Sequence, residues 1–93
     1  MASELIHDTA AHRYLLKVDG RLVSAADYTE NAERVSFTHT FTDPKLRGNG
    51  FAAQVVEFAV DDVEASGRKV VPMCWYVAKW FDEHPERAAL LAR

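Results

Sequence analysis

Between Arg34 and Ser66 the sequence passes from an alternation of period two to the spacing of a helical face, with a glycine-rich turn at the junction. From Arg34 to Thr42, Val35, Phe37, His39 and Phe41 alternate with Ser36, Thr38, Thr40 and Thr42, the pattern of an antiparallel strand with one apolar face. Asp43-Pro44 ends it, because proline donates no ladder hydrogen bond and restricts the residue before it. From Gly50 to Ser66 the apolar residues Ala52, Val55, Val56, Ala59 and Val63 fall on one helical face, and Gly67 is placed to stop the helix. A strand that turns directly into an amphipathic helix limits the chain to folds in which a helix packs on a sheet.

The flanking segments extend this pattern. Tyr14–Val18 and Arg21–Ala26 read as two strands joined by Asp19-Gly20, a pair suited to a type I′ hairpin because both positions take positive φ. Leu5–His7 reads as a short leading strand. Arg68–Pro72 reads as a short buried strand, and Cys74, Val77, Ala78 and Phe81 follow helical spacing. His84-Pro85 interrupts that helix, and Glu86–Ala92 reads as a short terminal one. The expected order is ββββαβα(α), an α+β fold with a mainly antiparallel sheet, and 93 residues at 48% apolar content fit a single domain spanning 1–93.

Arg47-Gly48-Asn49-Gly50-Phe51-Ala52 occupies the junction between strand and helix. Two explanations fit the glycines: a tight turn into the helix and nothing more, or a turn whose unpaired amides converge on an anion at the helix start. Two nucleotide motifs are excluded by spacing. A Walker A loop requires lysine after its last glycine, where this chain has Phe51, and a dinucleotide turn requires a third glycine in a βαβ unit.

The turn, its place before the main helix, the His39-Thr40 pair and Pro72-Met73-Cys74-Trp75-Tyr76 together resemble the GNAT superfamily of N-acetyltransferases, and in particular its minimal single-domain Yjdj-type group. The likeness runs from about Leu5 to Pro85. It implies a GNAT-like sheet and acetyl-CoA or coenzyme A as cofactor. Backbone amides of Arg47, Gly48, Asn49, Gly50, Phe51 and Ala52 would cradle the pyrophosphate, while Phe41 and Thr42 would pair edge-on with the pantetheine arm. Lys45, Arg68 and Lys69 are further candidates for a nucleotide phosphate, or simply solvated cations.

Three residues are candidates for the chemistry. Cys74, at a helix start where the dipole favours thiolate, is either a nucleophile or lining at the acetyl site, or a small buried hydrophobe. Tyr76 suits a proton donor to the departing CoA thiolate, and one helical turn equally suits it to packing. His39, between Phe37 and Phe41, is either a hydrogen-bonded core residue or a general base for an ammonium acceptor. Trp75, Trp80 and Phe81 form a possible aromatic surround to the acceptor side, with Phe81 on the inner stripe and the two tryptophans off it. The four histidines lack metal-ligand spacing, so no metal site is expected.

The function expected is acetyl transfer to an amine of unknown identity, with weak activity because the added elements that build the acceptor site in larger relatives are absent. The alternative is a non-enzymatic CoA or acyl-CoA sensor, or an interaction domain. A net charge of −3 argues against nucleic acid as partner. The apolar runs are too short for a membrane helix, and a single cysteine with no signal-like start suggests the cytoplasm. A monomer or weak homodimer is expected.

Overall fold

A computed structural model of the protein describes residues 2–92. Strands β1 (Ser3–Asp8), β2 (Arg13–Val18), β3 (Arg21–Glu30) and β4 (Arg34–Thr42) form an antiparallel meander. Helix α1 (Phe51–Ala65) then crosses back and delivers β5 (Lys69–Pro72) parallel to β4, giving the sheet order β1-β2-β3-β4-β5. Helix α2 (Trp75–Asp82) and a 3-10 segment, Pro85–Leu90, follow. The architecture is α+β, in the expected order. Among the described residues no helix is long and apolar enough to cross a membrane.

Helix α1 buries Val55, Val56, Ala59 and Val63 against the sheet, as the sequence spacing implies, and Val60 with them, whereas Ala52 is only partly covered. Each buried valine contributes about 1.5 kcal/mol or more. Tyr14, Leu16 and Phe37 from the sheet join this core, as do Val77, Trp80 and Phe81 from α2. Leu15 and Ala25 are buried on the other side of the sheet and stand outside this cluster. Asp19 and Gly20 both take positive φ, as the hairpin requires.

Four local readings are corrected. Strand β3 runs on to Glu30 because Asp27, polar at mid-strand, is held by Arg13 on β2 at 2.9 Å. Trp80 is buried rather than off the packed stripe, because the chain folds back after α2 and stacks His84 on its ring at 4.0 Å. The terminal segment is 3-10 rather than α, and past it Leu91 bridges to Val70, with Ala92 donating to the Val70 carbonyl.

The fourth correction lies in β4. Asp27 pairs with His39 and Tyr28 with Phe37, so Thr38 is an extra residue opposite one step of β3. This β-bulge reverses the alternation beyond it. Val35 and Phe37 face the core, as expected, but His39 and Phe41 are exposed on the far side of the sheet, and Thr40 and Thr42 turn toward the α-helical side.

Candidate active site

The loop from β4 to α1 is fixed by its own side chains. The Asp43 carboxylate accepts from the Lys45 amide at 3.0 Å and caps a 3-10 turn, Pro44–Leu46, while the Asn49 amide donates to the Leu46 carbonyl at 2.9 Å. Gly48 and Gly50 take φ of 86° and 76°, the left-handed region that favours glycine. Gly50 precedes α1 without a side-chain cap, and the first turn of α1 holds no acidic residue. The amides of Phe51, Ala52 and Ala53 are therefore left to an external acceptor, at the positive end of the helix dipole. Lys45 and Arg47 are exposed beside them and have no carboxylate partner among the described residues.

Opposite the loop, the sheet opens. Pairing of β4 with β5 ends at Phe37 and Pro72, and Cys74 donates its amide to the Phe37 carbonyl as the chain turns into α2. Thr38–Thr42 continue alone along that edge. The Asp43 amide bonds the Val23 carbonyl at 2.8 Å. In antiparallel alternation this directs the peptide groups of Phe41 and His39 to β3, and those of Thr40 and Thr42 to the open edge. The Phe41 carbonyl indeed accepts from Ser24 Oγ at 2.8 Å.

Between this edge, the glycine turn and the start of α2 lies a groove of about 540 Å³. Of the residues expected to bind cofactor, Thr42, Arg47, Gly48, Gly50, Phe51 and Ala52 line it. Phe41 and Asn49 do not: the bulge turns Phe41 outward with its peptide groups on β3, and the Asn49 side chain closes the loop from within. Arg68 and Lys69 lie at the far end of the parallel β4–β5 pair, beside Arg34, with Arg68 bound to Glu30 and Lys69 to the Ala89 carbonyl. As candidates for a phosphate at the turn both are therefore set aside.

Tyr76 lines the groove, half-buried. Burial, then the charge of Glu83, raises its phenol above the ordinary value, so the group keeps its proton at neutral pH. Cys74 sits one layer behind the wall, 8% exposed, with Sγ 3.5 Å from Thr40 Oγ1. Burial pushes the thiol up, but the Thr40 hydroxyl and the amides of Tyr76, Val77 and Thr40 outweigh it, and the thiol is held below its ordinary range. His39 stands on the opposite face of the sheet and is corrected as a site residue. Thr40 and Leu46 are groove walls that the sequence reading missed, and Trp75, expected in an aromatic surround to the acceptor side, lines the groove itself. A smaller hollow of about 330 Å³ lies at Asn31–Arg34, at the turn between β3 and β4.

A family model described as GCN5-related N-acetyl-transferase matches residues 13–90. No curated protein matches the chain. Among solved structures, a GCN5-like protein from Staphylococcus aureus superposes with a TM-score of 0.67 at 11% identity, over 96% of this chain and 87% of that one. Ard1 from Thermoplasma volcanium gives 0.60 at 11% identity, over 67% and 43%. N-acetylglutamate synthase from Neisseria gonorrhoeae, solved with coenzyme A and N-acetyl-glutamate, gives 0.61 at 17% identity, over 78% and 18%. At these identities the likeness is one of fold, and the chain spans less than half of the latter two proteins.

Proposed function

The chain belongs to the GCN5-related N-acetyltransferases, and from that premise we propose that it moves an acetyl group from acetyl-CoA to an amine. The observation that carries this reading is the joining, in one groove, of unpaired helix-start amides, an open strand edge and a protonated phenol. These fit three parts of one ligand: pyrophosphate, an extended chain of amides, and a departing thiolate.

Acetyl-CoA supplies the activated thioester. The amides of Gly48–Ala52, with Lys45 and Arg47 alongside, hold the phosphates at the positive end of α1. The outward peptide groups of Thr40 and Thr42 pair with the arm as a further strand would. As the neutral amine attacks the thioester carbonyl, Tyr76 gives its proton to the leaving sulfur, and the proton shed by the acylated nitrogen passes to solvent, from which the phenolate is reprotonated. Cys74 acts from behind, fixing Thr40 through its hydrogen bond, and transfer to the amine is direct.

The test is release of free CoA thiol from acetyl-CoA with a panel of amines, comparing the natural chain with Tyr76→Phe. Loss of the acid should slow release by about 100-fold while CoA binding persists. Release that is equally fast in the variant removes Tyr76 from this role. Binding of acetyl-CoA without release to any amine favours the sensor. A stable acetyl adduct on Cys74 in the intact mass spectrum contradicts direct transfer.

A further inference from the structure

Trp75 and Trp80 differ sharply in setting. Trp80 is 3% exposed and stacked, whereas Trp75 is 74% exposed, although it is the first residue of α2 and lines the groove. Leaving so large an apolar side chain in water is costly, and a contact that covers it recovers that cost. Its position is fixed on two sides. The Cys74 amide is tied to the Phe37 carbonyl, which anchors the start of α2 against β4, and the Tyr76 ring meets the indole edge-on at 5.7 Å. Across the cleft stand the open edge at Thr40 and Thr42 and the apolar side chains of Leu46 and Phe51.

We propose that Trp75 is a ligand-binding wall: its indole closes on the aliphatic part of the pantetheine arm and presses the arm against the Thr40–Thr42 edge. This rests on the groove being the CoA site. It separates two recognition elements along the groove, the glycine turn for the phosphates and Trp75 for the arm. It also makes Trp75 the tryptophan whose fluorescence reports occupancy, because Trp80 is sealed in the core.

The experiment titrates the natural chain, Trp75→Ala, Trp75→Phe and Gly50→Ala with CoA and with ADP, which carries the pyrophosphate without the arm, using calorimetry and intrinsic fluorescence. Covering part of one indole predicts about a tenfold loss of CoA affinity in Trp75→Ala, with ADP affinity unchanged. Gly50→Ala should weaken both ligands. CoA should alter the fluorescence of the natural chain but not that of Trp75→Phe, which keeps Trp80. Because the side chain is largely exposed, both Trp75 variants should melt as the natural chain does.

CoA affinity in Trp75→Ala equal to that of the natural chain overturns the proposal while leaving the CoA site intact, and so does an equal loss for CoA and ADP. A fluorescence response that survives in Trp75→Phe overturns it as well. If the natural chain binds neither ligand, the CoA reading of the groove fails, and the role of Trp75 fails with it.

Discussion

Gly50→Ala separates the structural duty of the turn from its duty to a ligand. Gly50 has φ of 76°, and a Cβ built on it meets no protein atom within 4 Å. A methyl group there obstructs nothing of the protein, so its folding cost is that of the left-handed conformation. That cost is about 1–2 kcal/mol, offset by about 0.5 kcal/mol from the lower entropy of the unfolded chain. The net loss of about 1 kcal/mol lowers Tm by about 4–8 °C in a domain of this size. Gly20 is the matched control, with φ of 80° and equally open surroundings, but in the hairpin between β2 and β3. Gly20→Ala should lose similar stability. The two diverge when CoA is added. At 100 times Kd the ligand should raise stability by about 2.7 kcal/mol in the natural chain and in Gly20→Ala. In Gly50→Ala the new methyl stands at a groove wall, and much of that increment should vanish. Thermal unfolding followed by circular dichroism, with and without CoA, measures both effects. A full ligand increment in Gly50→Ala, or an equal loss of that increment in Gly20→Ala, contradicts this division of roles between the two glycines.

Further outcomes follow from the same geometry. His39→Ala should leave the transfer rate within about twofold, because the side chain lies beyond the sheet from the groove; a loss near 100-fold would return His39 to the role of base. Tyr14→Phe should cost about 1–2 kcal/mol in denaturant unfolding, through the 2.7 Å hydrogen bond from the phenol to Asp62. Burial first, then that bond and the charge of Asp62, raises the Tyr14 phenol well above its ordinary 10.0. The folded state thus keeps a proton that the unfolded chain loses above about pH 10, so this part of the stability is present below that pH and lost above it. In Tyr14→Phe this component of the alkaline decline should disappear, and an unchanged decline would count against the assignment.

Much of the frame was legible because its signals are local. The alternation from Arg34 to Thr42 and the Val/Ala face of α1 follow from side chains within one element. The glycine turn was legible for a related reason, since positive φ leaves few choices of residue. What escaped is set by partners distant in sequence. Val35-Ser36-Phe37-Thr38-His39-Thr40-Phe41 alternates without fault, and nothing in those letters marks Thr38 as the bulge. Pairing with β3 decides it: Tyr28 lies opposite Phe37 in the core, whereas Asp27, bound to Arg13, lies opposite His39 on the outer face. A single extra residue thereby took His39 and the side chain of Phe41 from the site and supplied Thr40. Trp80 was misjudged for a similar reason, since the surface that covers it arrives with His84 after the helix has ended. The two readings left open for Arg68 and Lys69 could not be separated in sequence, because a basic pair carries no sign of which end of a parallel strand it will occupy.

On the proposed function, one groove, from the open edge of β4 to the glycine turn, takes CoA. The most direct measurement is the change in amide chemical shifts as labelled protein is titrated with CoA. The shifts should move together at Thr40 and Thr42, from Gly48 through Ala52, and at Trp75 and Tyr76, and saturate at one CoA per chain. Shifts confined to Asn31–Arg34, or none at the glycine turn at saturating CoA, would contradict it.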